Sequence, residues 1–117
     1  KGIEATINLL SFKKPPDAVF AASDFSAIGA LKTVKEKGIM IPGDMGIAGF
    51  ANEPFTELVT PSLTSVDQKS IEMGRIIARV FLNADESREK KHTTNQISLK
   101  PELIIRQSSN RKGNNYK

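Results

Sequence analysis

Between Asp17 and Phe50 the chain twice carries a short, unbroken apolar run beside a helical stretch, first Ala18-Val19-Phe20-Ala21-Ala22 and then Gly46-Ile47-Ala48-Gly49-Phe50. Runs that do not alternate with polar residues are expected where both faces of a strand are covered, the condition of a parallel sheet flanked by helices. The class is therefore α/β. The same pattern says where chemistry should sit, because parallel sheets bind their ligands just beyond the carboxyl ends of the strands. Ser23 and Asp24 follow the first run at once, and both residue types cap helices by accepting from first-turn amides. Ala51 and Asn52 follow the second.

Around these runs the helical segments can be placed. Ile3, Ile7 and Leu10 recur at helical spacing, which predicts a helix over 3–12 that Pro15 and Pro16 terminate. Residues 24–37 carry Phe25, Ile28, Leu31 and Val34 on one stripe, as in a helix lying on a sheet, and Gly38 is placed to cap it. The loop from Ala51 to Ser62, punctuated by Pro54 and Pro61, is too long for a simple connection and reads as functional. Thr64-Ser65-Val66-Asp67 reads as a short extended piece, and 69–82 as a helix with Ile71, Gly74, Ile77, Ala78 and Phe81 inward. Residues 84–95 are polar and loop-like. Gln96–Leu99 and Glu102–Ile105 flank Pro101, suggesting an edge strand broken at the proline. Gly29 and Gly74, inside helices, call for close approach to another element, since each costs about 1 kcal/mol relative to Ala.

With 117 residues, 38% hydrophobic and 26% charged, the chain is sized for one domain or a large piece of one. No stretch approaches the roughly 18 apolar residues that span a bilayer, and the start does not resemble a signal peptide. The lack of an initiator Met suggests that the natural N-terminus is missing. Zero cysteines exclude disulfides and thiol catalysis. The formal net charge of +4 resides wholly in residues 85–117, which hold eight Lys or Arg against four Asp or Glu. A basic excess confined to a loop and tail reads as solvated surface rather than a phosphate-binding patch. The stretch from Ser108 reads as frayed, with 110–117 a disordered tail.

Neither phosphate-cradling glycine loop is present. His92, the only histidine, sits among Lys90, Lys91, Thr93 and Thr94, a surface loop rather than a base or metal ligand. The carboxylates Asp24, Asp44, Glu53, Glu57 and Asp67 have capping, turn or solvated-loop explanations. What remains is a polar set at strand ends: Ser23, Asp24, Asn52 and Gln68. Capping and ligand contact account for it equally.

Four strings occur in order: D-A-V-F-A-A-S-D-F-S-A-I-G-A-L-K, I-P-G-D-M-G-I-A-G-F-A-N-E-P, T-P-S-L-T-S-V-D-Q with E-M-G, and L-K-P-E-L-I-I-R-Q-S-S. Together, over residues 1–109, they resemble the C-terminal part of the effector-binding domain of the lactose-repressor/galactose-repressor family of transcriptional regulators. The resemblance implies a parallel-sheet, Rossmann-like lobe of a two-lobe periplasmic-binding-protein-like fold, with a crossover near 64–68 and the helix 69–82 belonging to the other lobe. A further strand is expected beside the first one, so the edge of this fragment should be open. The ligand-binding positions carried over are Ser23, in the place of an Asn; Ala51, in the place of an Asp that holds sugar hydroxyls; Asn52 after it; and the crossover residue Gln68. The implied partners are a small, sugar-like effector, a second copy meeting through Ile28, Leu31, Lys32, Phe55 and Val59, and operator DNA held by a headpiece upstream. No enzyme activity, cofactor, metal or membrane is implied, and the setting is cytoplasmic. The alternative on the same fold is the solute-binding protein of a sugar transporter, against which the L-T-S-V-D-Q and P-E-L-I-I-R-Q-S-S strings favour the regulator.

Overall fold

A computed structural model describes residues 1–86 and 96–111, for 84–86 the backbone only. In chain order the elements are α1 (Gly2–Leu10), β1 (Ala18–Phe20), α2 (Asp24–Glu36), β2 (Gly46–Phe50), a short 3₁₀ turn (Pro54–Glu57), β3 (Thr64–Asp67), α3 (Ser70–Glu86) and β4 (Glu102–Ile104). The four strands form one sheet in the order β1-β2-β3-β4. β1, β2 and β3 run parallel, with Val19 opposite Ile47 and Gly49 opposite Ser65. β4 closes the sheet antiparallel to β3, with Val66 opposite Leu103.

Sequence expectation and structure differ in several places, each for a physical reason. Of the proline-broken edge strand expected over 96–99 and 102–105, only 102–104 is strand, at the edge of the sheet beside β3. Pro101 lacks the N–H that a ladder needs, so pairing begins after it. The face that α2 buries holds Ala27, Ala30, Leu31 and Val34, while Phe25 is 72% exposed. Small residues win this face because the helix must come close to Gly49, where an added Cβ would lie 3.1 Å from the Ala27 Cβ. On α1 the buried residue is Thr6, and Ile3 and Ile7 stay exposed. α1 packs on α2 backbone to backbone, with Gly29 facing Gly2 and the amide of Ile3, the close approach anticipated for that glycine. Finally, the polar stretch read as loop from 84 is helical through Glu86; residues 87–95, His92 among them, lie outside the described residues.

The core is Ala27, Ala30, Leu31 and Val34 of α2 packed on Met45, Ile47 and Leu63, with Leu10, Val19, Ile28, Ile39 and Val59 around it. Gly38, at φ +71, ends α2 as a left-handed residue, for which glycine carries no steric cost. β1 has a partner on one side only among the described residues, as the fragment reading expects, and Phe20 is 64% exposed on it. α3 extends from this body, giving overall dimensions of 63 × 32 × 22 Å. Its stripe Ile71, Ile77 and Phe81, expected inward, is exposed, and open space surrounds Gly74. Met73, Ile76, Ile77, Val80 and Phe81 line a groove of about 520 Å³ with Ile97 and Leu99.

The stretch read as frayed from Ser108 is instead anchored. Ser108 is fully buried, donating to Ile47 O at 2.6 Å and accepting from Thr64 N at 2.9 Å. Arg111 donates to the carbonyls of Pro42 and Asp17. Of the tail expected at 110–117, residues 112–117 lie outside the described residues.

Candidate functional site

Three adjacent parallel strands end on one side of the sheet, so the residues that follow them emerge side by side. Ser23 comes just after β1, Ala51 and Asn52 just after β2, and Gln68 just after β3. All four positions expected to bind a ligand therefore share the carboxyl end, the place where α/β sheets bind.

Ser23 is the N-cap of α2. Its backbone is extended (φ −152°, ψ 154°), and its Oγ accepts from Ser26 N at 3.2 Å and donates to Ser26 Oγ at 3.1 Å. The capping reading of Ser23 thus holds, and its half-buried hydroxyl still borders the strand end. Asp24 is no cap. Its side chain is fully buried and reaches across the sheet, accepting from Ser65 Oγ at 2.6 Å and from Glu53 N at 2.8 Å. Gly49 makes room for it, since a Cβ there would overlap the carboxylate.

The segment after β2 turns sharply, with φ of 113° at Ala51 and 54° at Asn52. Asn tolerates the left-handed region, but Ala at that φ is strained. Ala51 N donates to Val66 O at 3.0 Å and Asn52 N to Ser65 Oγ at 3.0 Å. One serine hydroxyl thus accepts from the turn and donates to Asp24. The Asn52 side chain is fixed separately, its Oδ1 accepting from Arg106 Nη2 at 2.8 Å. The same guanidinium, whose side chain is 10% exposed, also bonds Leu63 O at 2.8 Å and Glu57 Oε1 at 3.1 Å. The Asn52 carbonyl is therefore committed within the protein, which leaves its Nδ2 to donate to a ligand.

Gln68 is exposed at the end of β3, where the chain leaves the sheet for α3. Lys69, at φ 58°, makes that exit; its N donates to Asp67 Oδ1 at 2.7 Å and its ammonium bonds Glu102 at 2.5 Å. The bond to Glu102 holds the Lys69 ammonium above the usual lysine range. Asp44 accepts from Met40 N at 3.1 Å, a turn contact as expected. Among the described residues no cluster of His, Cys, Asp or Glu is arranged to hold a metal ion, and no helix is long and apolar enough to cross a membrane.

The residues expected to meet a second copy are divided by the structure. Leu31 is buried in its own core at 6% exposure, so it cannot contribute apolar area to a partner. Ile28 and Val59 are half-buried beside that core, Lys32 is exposed and pairs with Glu36, and Phe55 packs against Phe25 with ring centroids 5.0 Å apart and planes tilted by 56°. Two residues that bond the 51–53 segment escaped the sequence reading, Ser65 and Arg106. The available signal was a serine inside an otherwise buried strand and a single charge directly after an apolar one, both of which demand partners.

The chain matches the family described as periplasmic binding protein-like domain over residues 2–109. It is 33% identical over 107 residues to the HTH-type transcriptional repressor PurR of Actinobacillus pleuropneumoniae serotype 3 (strain JL03), a match covering 92% of this chain and 32% of that protein. It is 36% identical over 108 residues to the HTH-type transcriptional repressor CytR of Escherichia coli (strain K12), covering 92% of this chain and 31% of that one. Among solved structures it is similar to the LacI family transcriptional regulator from Enterococcus faecium with bound ribose, at 30% identity and a TM-score of 0.81 over 92% of this chain and 39% of that chain. The chain thus spans about a third of the length of the repressors that it matches.

Proposed function

Since the chain belongs to the periplasmic binding protein-like domain family, we propose that it is the C-terminal part of the effector-sensing domain of a DNA-binding transcriptional regulator. The observation that carries this reading is the convergence of Ser23, Ala51, Asn52 and Gln68 on one end of the parallel strands, in a chain whose relatives are repressors. The alternative, a transporter's solute-binding protein, finds no support in those relatives. In this reading Thr64–Asp67 is a crossover between two lobes and α3 belongs to the second lobe, which gives its exposed stripe a partner. DNA is held by a part of the regulator outside this chain, and the effector acts by favouring one lobe arrangement over another, which requires different affinity for the two.

The effector class is a small polyhydroxylated molecule, supported by the ribose held by the Enterococcus faecium relative. Ser23, Asn52 Nδ2 and Gln68 supply the hydrogen bonds and Ala51 an apolar wall. Ile28, Lys32, Phe55 and Val59 face a second copy in a cytoplasmic homodimer.

Calorimetric titration of the full-length regulator with ribose, cellobiose and sucrose tests the reading. At least one is expected to bind, and Gln68→Ala to weaken it by roughly 1–3 kcal/mol, the cost of leaving a ligand group unpaired. Absence of binding by all three sugars overturns the effector class, and unchanged affinity in the variant removes Gln68 from the site. Sedimentation of the same sample reads the dimer.

A further inference from the structure

Resting on that reading of the strand-end site, we propose that Asp24, Ser65 and Arg106 are positioning residues, which touch no ligand but hold the 51–53 turn in the strained form that presents Ala51 and Asn52. A residue with a Cβ does not adopt φ of 113° by preference, and such a conformation persists only where its surroundings over-determine it. Here three anchors do so. Asp24 fixes the turn through Glu53 N directly and through Ser65 Oγ to Asn52 N. Arg106 fixes the Asn52 side chain and, through Leu63 O and Glu57, ties the following loop to β3.

The anchors come from α2, β3 and the segment after β4, so the turn is clamped from different parts of the chain. Their burial means that the clamp is made before any ligand arrives. A preformed turn spares the ligand the cost of ordering it, and affinity should depend on the clamp although no ligand atom contacts it.

The test exploits a second buried serine of equal standing at the other end of the sheet. Ser108, like Ser65, is fully buried and uses its hydroxyl to accept one bond and donate another. In the full-length protein, Ser65→Ala should raise hydrogen exchange at the Asn52 amide by about tenfold or more. It should also weaken binding of whichever of ribose, cellobiose or sucrose the parent binds by about tenfold. Ser108→Ala should lower the denaturation midpoint comparably yet leave both readouts unchanged. Arg106→Lys, which keeps the charge but loses the two-pronged donor, should reproduce the affinity loss if Ser65→Ala does not fold. Equal affinity losses in Ser65→Ala and Ser108→Ala, or exchange at Asn52 that Ser65→Ala leaves unaltered, would overturn the proposal. If the parent binds none of the sugars, the effector class fails by itself, and exchange at Asn52 and Glu53 still decides whether the clamp exists.

Discussion

The two ends of the sheet use the same device to different effect. At the amino-terminal end, Ser108 bridges Ile47 O and Thr64 N, while Thr64 Oγ1 meets Ser109 Oγ at 2.7 Å and accepts from Arg106 N at 2.8 Å. Every group it joins lies in ordinary extended or turn backbone, so the network only stitches the last segment onto the strands. At the carboxyl end, Ser65 and Asp24 join groups in a turn whose φ values are positive at two successive non-glycine residues. Hydrogen bonding there opposes strain as well as satisfying buried polar groups. The contrast agrees with the proposed site: strained backbone occurs at the end where the ligand is proposed to bind, and the network at the other end joins none.

The largest test of this contrast is Asp24→Ala. It leaves the buried Ser65 Oγ and the part-buried Glu53 N without their acceptor, and a void opens beside Gly49. One buried and one part-buried bond to a carboxyl group, together with the void, put the expected loss at roughly 3–5 kcal/mol in urea denaturation. Ser108→Ala removes two neutral bonds at the other end and should cost about 1–2 kcal/mol. If the two variants lose the same stability, the carboxyl end is no more demanding than the amino end.

How far all this could be read from the sequence depends on the range of the contacts involved. The α/β class and the parallel ladder were legible because an unbroken apolar run such as Gly46–Phe50 has one environment that suits it. The strand ends were legible for the same reason. The buried face of α2 was not, since counting bulky residues favours Phe25, whereas the close approach of helix to strand selects Ala27 and Ala30. Asp24 looked like a helix cap because capping is local. Its actual partners lie 29 and 41 residues away, and nothing in its neighbourhood announces them. Arg106 and Asn52, 54 residues apart, were hidden in the same way. The strain at Ala51 is a product of those distant contacts and could not be foreseen from Ala51 itself.

A smaller effect sharpens the comparison at Arg106. Its bond to exposed Glu57 is a surface ion pair and contributes little, but its bonds to Leu63 O and Asn52 Oδ1 are part-buried. Arg106→Met keeps much of the packing and removes all three. The expected cost is about 1–3 kcal/mol, and it should not change when the denaturation is repeated at high salt, because the exposed pair is the only part that salt screens. A loss that vanishes at high salt would mean that the pair with Glu57, and not the hold on Asn52, is what Arg106 provides.

The smallest effect should have the opposite sign. Replacing Ala51 by Gly removes the Cβ that φ of 113° crowds, relieving roughly 1–3 kcal/mol of strain, while the freer unfolded chain takes back about 0.5–1 kcal/mol. Ala51→Gly should therefore stabilise the fold by about 1 kcal/mol. The matching change within β2, Ala48→Gly, meets no strain and should destabilise by roughly the entropic term alone. The gain at position 51 should come with a several-fold loss of sugar affinity, because the relieved turn visits conformations that do not present Asn52, a trade expected wherever a site stores strain for use. Denaturation midpoints of the two variants, measured side by side, decide the matter: if Ala51→Gly destabilises as Ala48→Gly does, the turn after β2 holds no strain, and the two ends of the sheet differ only in which backbone groups their serines happen to meet.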